Sequence, residues 1–192
     1  MDAPVNVEQL LRWYLGHPAM ATDLDRVRSG GPLALVGGPW DDLQGFAERL
    51  APERAVLDLT LRIPSAREVT ELFGEHPETI ILARSGEQVF RALGVLVQPW
   101  YMLVSPLTAR PNEAVPLLRE AVAELGVGCS LDQLGARAVA NLGRYQWRGL
   151  REIRDAARRF AALLDAGSVS SASRGLGVTR QALAKYVKQR TT

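Results

Sequence analysis

Ser168-Val-Ser-Ser-Ala-Ser-Arg-Gly-Leu-Gly-Val-Thr-Arg-Gln-Ala-Leu-Ala-Lys-Tyr-Val-Lys188 is the most densely patterned stretch of the chain. Val169, Ala172 and Leu176 recur at helical spacing, so a short helix can turn all three inward. Leu183 and Val187, four residues apart, do the same for a second helix. Gly177 between them permits a tight turn, and Val178 plugs the corner. The small side chain of Ala172 lets the two helices approach closely. Two short helices joined in this way have the geometry of a helix-turn-helix.

That geometry assigns roles to the polar residues. The N-terminal end of the second helix is where such a motif meets base edges. Thr179, Arg180 and Gln181 lie there, with Arg180 suited to guanine and Gln181 to adenine. Lys185 and Lys188 suit phosphates, and Arg174 joins them. Ser168 and Ser170 offer hydroxyls to phosphates at the start of the first helix. Immediately upstream, Leu150, Ile153, Ala157, Phe160 and Leu164 mark one apolar face of a longer helix, which stops at Gly167.

Charge agrees with this placement. From Arg144 to Thr192 there are 11 Lys and Arg against 3 Asp and Glu, a net of +8. Residues 1–143 hold 12 basic and 18 acidic residues, a net of −6, which leaves +2 for the chain. A basic end on an acidic body suggests a polyanion partner at that end. A solvated basic helix face gives the same count, so the motif carries more weight than the charge.

Further toward the N-terminus, apolar runs alternate with helical patterns. Residues 5–15 read as an amphipathic helix through Val7, Leu10, Leu11 and Tyr14. Strands are expected at Leu33–Val36 and at residues 56–61, 79–83 and 101–104. Helices are expected around Leu43, Phe46, Ala47 and Leu50, after the Ser65/Glu68 capping-box pattern, and over residues 88–93. Alternation of this kind implies a parallel sheet with helices on its faces. Beyond residue 110 the strands stop. Asn112 is a candidate cap for a helix whose face is Val115, Leu118, Val122 and Leu125. Ser130 with Gln133 reads as a capping box opening a helix to about Leu142.

The chain's single cysteine, Cys129, cannot form an internal disulfide. With no apolar run of membrane-spanning length and no signal-peptide pattern, a cytoplasmic location without membrane contact is expected. His17 and His76 lack metal-ligand spacing to each other or to Cys129, so no metal site is expected. No catalytic triad pattern is present. Trp13, Trp40, Trp100 and Trp147 read as packing residues.

The C-terminal stretch resembles the Fis-type helix-turn-helix that ends bacterial enhancer-binding proteins. The family pattern, roughly G-N-x-T-x-A-A-x-x-L-G-I-S-R-x-T-L-x-R-K-L-K, aligns without gaps from Gly167 to Lys188. Gly167, Ala172, Leu176, Gly177, Arg180, Leu183 and Lys188 match, and Val178, Thr179 and Lys185 are near matches. Ala182 and Ala184 depart from it, standing where threonine and arginine or tyrosine are common. Contacts made by those side chains are therefore missing.

The preceding region resembles the AAA+ domain of the same sigma-54-dependent activators. Leu35-Val-Gly-Gly-Pro-Trp-Asp-Asp-Leu-Gln-Gly-Phe-Ala-Glu-Arg-Leu50 lies over the phosphate loop, and Glu71-Leu-Phe-Gly74 repeats an E-L-F-G motif. Glu78-Thr-Ile-Ile-Leu-Ala-Arg-Ser-Gly-Glu87 lies over G-T-L-F-L-D-E-I-G-E. Arg110-Pro-Asn-Glu-Ala-Val-Pro-Leu-Leu118 resembles R-x-x-D-I-P-L-L. Tyr145-Gln-Trp-Arg-Gly-Leu-Arg-Glu-Ile153 resembles Y-x-W-P-G-N-V-R-E-L with one deletion.

The resemblance also exposes losses. The phosphate-binding lysine position is Leu43, preceded by Asp41 and Asp42, whose charges repel a triphosphate. The carboxylates expected to hold Mg²⁺ and orient water fall at Ala83 and Arg84. Trp40 replaces a loop glycine and is expected to fill the vacated nucleotide pocket. Arg151, at the nucleotide-sensing position, is expected to pair with Asp155 instead. The loop that engages the sigma factor is deleted after Gly74.

The expected fold is therefore α/β, an AAA+-like parallel sheet with flanking helices followed by an all-α subdomain and a C-terminal helix-turn-helix. The expected divisions are a degenerate AAA+-like domain over 1–108, a helical lid over 109–148 and a Fis-type domain over 149–192. The expected function is transcriptional regulation through double-stranded DNA, as a homodimer, with no catalytic residue and no cofactor. The alternative is an interaction protein that enters and inhibits an active enhancer-binding ATPase. A third class, a nucleotide sensor that binds without hydrolysing, is opposed by Asp41-Asp42-Leu43.

Overall fold

Two apolar runs dictate the centre of the first half of the molecule. In the computed structural model, which describes residues 6–18, 20–125 and 128–192, they form β1 (Leu33–Val36) and β3 (Ile80–Ala83), buried at every position. Continuous burial is what parallel strands covered on both faces require. With β2 (Val56–Asp58) and β4 (Trp100–Leu103) they make a four-stranded parallel sheet in the order β2-β3-β1-β4. Leu33, Ala34, Leu35 and Val36 pair with Ile80, Ile81, Leu82 and Ala83 in turn.

Helices connect the strands, as parallel pairing demands. They are α3 (Leu43–Leu50) after β1, α4 (Ala66–Glu75) after β2 and α5 (Gly86–Leu93) after β3. Val69, Val89 and Leu93 from α4 and α5 pack with Ala34, Val36, Ile81 and Ala83 in one buried cluster. Strand alternation turns Leu33, Leu35, Ile80 and Leu82 to the opposite face. The buried side chains of α1 (Val7–Leu15) pack with α3, where the rings of Tyr14 and Phe46 stack 4.0 Å apart. The Ser65/Glu68 capping box forms as read: the Ser65 amide donates to Glu68 at 2.7 Å, and the Glu68 amide donates to the Ser65 hydroxyl at 3.3 Å.

Several sequence expectations need correction. The second strand stops at Asp58 rather than at residue 61. The Asp58 carboxylate accepts from both the amide (2.8 Å) and the hydroxyl (2.6 Å) of Thr60, which bends the chain out of the sheet. The sequence reading also lacked α2 (Ala21–Arg28), where only Leu24 and Val27 supply large apolar side chains. Val5, expected as the first residue of the first helix, lies outside the described residues.

The chain divides into two compact units, residues 1–106 and 107–192. The second is all helical. Asn112 does not cap its first long helix. It lies inside a 3-10 turn, Pro111–Glu113, that leads into α6 (Ala114–Glu124). The buried face of α6 is Ala114, Leu117, Leu118, Ala121 and Val122, which leaves Leu125 exposed and Val115 half-buried. Ser130 caps a short 3-10 turn, Leu131–Leu134, through the Asp132 amide. Gly135, at φ 87°, then breaks the chain before α7 (Ala136–Arg144).

The remaining elements are α8 (Leu150–Ala166), α9 (Val169–Gly175) and α10 (Arg180–Thr191). Helix α8 packs against α6 and α9, and α10 packs against α7 and α9. Residues 109–148 and 149–192, expected as separate domains, therefore share one packed unit. No helix among the described residues is long and apolar enough to cross a membrane.

Candidate nucleic-acid interface

The α9–α10 pair forms for local reasons that the sequence states. Gly167 ends α8 in the left-handed region at φ 62°. Ser168 then caps α9, its Oγ accepting the Ser171 amide at 3.2 Å. Ala172 is buried where α9 meets its neighbours, and Gly177, at φ 64°, makes the turn. The amide of half-buried Val178 donates to the Ser173 carbonyl at 3.0 Å. Thr179 caps α10, its Oγ1 accepting the Ala182 amide at 3.1 Å.

Helix α10 has two unlike sides. Leu183 is fully buried, with Tyr186 and Val187 half-buried beside it. Arg180, Gln181, Ala184, Lys185 and Lys188 are all exposed. Their spacing of 0, 1, 4, 5 and 8 residues keeps them along one face. Lys185 and Lys188 are the only lysines in the sequence. Arg174 and Ser170 are exposed on α9. The eight residues picked from sequence are thus all exposed, but two are partly committed. Ser168 and Thr179 spend their side-chain oxygens as helix caps, so what each has left to offer a phosphate is its hydroxyl proton. The Ser168 hydroxyl is directed at Ser171, 3.1 Å away.

Sequence reasoning missed the other end of α10. Arg190 is buried, 8% exposed, and donates to the Glu152 carboxylate of α8 at 2.6 Å. Its guanidinium lies 3.7 Å from the Tyr186 ring centre, 4.6 Å from that of Tyr145 and 5.8 Å from that of Trp147. Glu152 also accepts from the Tyr145 hydroxyl (3.2 Å) and the Arg148 amide (2.9 Å). The side-chain amide of Asn141, on α7, donates to the carbonyls of Thr191 (3.0 Å) and Thr192 (3.2 Å). Arg159 also lies over the Tyr186 ring, at 4.2 Å, while pairing with Asp155 at 3.1 Å. Burial pushes the Tyr145 and Tyr186 phenols up, against the pull of the Arg190 cation. The partner of Asp155 is therefore Arg159 rather than Arg151. Only the Tyr186/Arg190 spacing of four residues hinted at the cluster in the sequence.

The loop after β1 is the second place where chemistry was expected, and it is closed. The carboxylate of Asp41 is buried and accepts the Gly38 amide at 2.6 Å. Arg84 reaches across from the end of β3 to the Gly38 carbonyl at 2.5 Å. The Tyr14 hydroxyl donates to Asp42 at 3.2 Å, and Leu43 is buried. A Cβ at Gly37 would meet Leu43, Asp41 and Val104 at 3.0–3.1 Å, so the loop has no spare room. Trp40 does not fill this space; it is 39% exposed, and Asp41 and Leu43 fill it instead.

No family model, curated protein or solved structure matches the chain. Among the described residues no three His, Cys, Asp or Glu side chains gather as metal ligands.

Proposed function

We infer that the chain is a DNA-binding transcriptional regulator that reads duplex DNA with α9 and α10 as a helix-turn-helix. The observation that carries this reading is the division of α10. Leu183 anchors one side, while Arg180, Gln181, Lys185 and Lys188 are exposed along the other, immediately after a capped turn. Arg180 and Gln181 supply base-edge contacts, and Lys185, Lys188 and Arg174 supply phosphate contacts. The likeness of residues 167–188 to the Fis-type motif supports the same assignment. A homodimer on paired half-sites follows from how such motifs dock.

The α/β unit acts in this reading as an assembly or protein-contact module of AAA+-like ancestry, without ATP hydrolysis. Its support is the β1–α3 loop, where the Asp41 carboxylate holds the amide that a phosphate would need. A second reading, inhibition of an active enhancer-binding ATPase by mixed assembly, is favoured by exposed apolar side chains on α5, the loop after it and β4. Phe90, Val95 and Leu103 are 64%, 83% and 68% exposed there.

Selection from a random duplex pool tests the main reading. The native protein is expected to enrich a two-fold motif, and Arg180→Ala to lose it by roughly 1–3 kcal/mol of discrimination at one base pair. Equal binding of every duplex, abolished by salt, would reduce the basic end to an electrostatic anchor. Inhibition of an enhancer-binding ATPase by the Arg180→Ala protein would then move the mixed-assembly reading ahead.

A further inference from the structure

We propose that Arg190 is a positioning residue for DNA reading: its cage fixes the angle at which α10 presents Arg180 and Gln181. The proposal rests on the DNA-binding reading above and extends it to a residue that meets no DNA.

Helix α10, capped at its start by Thr179, is held to its neighbours at two places along its length. Leu183 anchors its first turns in the core of the second unit. The second place is the C-terminal end, which three separate groups hold. Asn141 donates to both terminal carbonyls. Glu152 takes the Arg190 guanidinium at 2.6 Å, with both side chains under 10% exposed. Tyr145 and Trp147, which precede α8, face the same cation from outside the helix, and Tyr186 of α10 itself packs on it. A short helical pair docked only through α9 would rock about Leu183. Fixing the far end removes that freedom, because a lever held at both ends cannot tilt.

The chemistry of the clamp suits a constraint on angle better than a simple gain in adhesion. An aliphatic side chain would bury as much surface without directionality. A planar guanidinium stacked on rings and hydrogen-bonded to a carboxylate has one favoured orientation. Base-edge hydrogen bonds need that precision, since they weaken steeply with angle. Phosphate contacts from the flexible Lys185 and Lys188 do not.

The test is a double variant, Glu152→Gln with Arg190→Met, which removes both charges together and leaves no unpaired ion in the core. It is compared with the native protein and with Arg180→Ala in competition binding between the selected duplex and a scrambled duplex at one salt concentration. Hydrogen exchange along α10 reports the clamp itself. The expected result is at least an about tenfold fall in the preference for the selected duplex. Affinity for the scrambled duplex should stay level, and amide exchange should quicken at the C-terminal end of α10. Arg190→Lys, which keeps charge but not the plane, should also lose preference. An unchanged preference in a variant whose α10 exchange has quickened overturns the proposal and leaves the DNA-binding reading intact. An equal fall on both duplexes also overturns it, because that is loss of fold. A native protein that prefers no duplex removes the DNA-binding reading and this role with it.

Discussion

Two turns in this molecule use the same local device and end in opposite states. After β1, Gly37-Gly38 leads into α3; after α9, Gly177 leads into α10. Each leads into a helix start, whose free amides and dipole favour negative charge. In the first turn the anion is built in: Asp41 folds back onto the Gly38 amide and is buried there. In the second the cap is the neutral hydroxyl of Thr179, and Arg180 and Gln181 beside it are exposed. A turn that carries its own carboxylate is satisfied, whereas one capped by a neutral group beside an exposed arginine remains open to an anion from elsewhere.

Four substitutions put that contrast to the test. The largest effect belongs to Leu183→Ala, which removes the fully buried anchor of the open turn. A loss of about 2–5 kcal/mol is expected, read as a lower urea midpoint of the second unit together with lost DNA binding. Thr179→Asp comes next and places a carboxylate at the open turn, where the closed one already has Asp41. Aspartate caps a helix as well as threonine does, so the melting temperature should hold. If α10 meets DNA as proposed, its charge would face the phosphates, so affinity should fall at least about tenfold, and more steeply at low salt. Unaltered affinity would mean that α10 does not meet DNA by its N-terminal end.

Asp41→Ala tests the closed turn. It leaves the Gly38 amide without its partner and should cost about 1–3 kcal/mol in denaturant unfolding. Added ATP should not restore the loss, since Leu43 still occupies the lysine position and Arg84 still crosses the loop. A nucleotide-dependent shift in that variant would show that Asp41 alone keeps the site shut. The smallest effect is at the start of α4. Arg62 and the Ser65 amide hold the Glu68 carboxyl down at about 2. A depressed carboxyl adds stability that is present above the ordinary carboxylate range and is lost as pH falls toward about 2. Glu68→Gln should therefore flatten the acid limb of the melting-temperature profile slightly and leave DNA binding unchanged.

What could be read from the sequence follows the range of the interactions. The central strands were legible because four consecutive apolar residues bounded by turns allow few other fates. Gly177 was legible because its turn is made within a few positions of itself, and Leu183 because its spacing to Val187 marks the inward side of a helix; the capping role of Thr179 was not read. The end of β2 was not, because a side-chain hydrogen bond at Asp58 competes with the ladder and outweighs the apolar run. The burial face of α6 was misjudged because Val115 and Leu125 looked as suitable as Leu117 and Ala121 until α8 packed against them. Arg190 was illegible for the plainest reason: its carboxylate partner lies 38 residues away, and the sequence of α10 alone presents one more cation.

The placement of the two lysines has a practical consequence. Every other basic side chain is an arginine or histidine, so side-chain primary amines occur only on the outer face of α10. An amine-selective acylating reagent therefore modifies side chains on that one surface without engineered labels. The mass added to the peptide that carries α10 counts how much of the helix is accessible, and any partner that lies along it lowers the count.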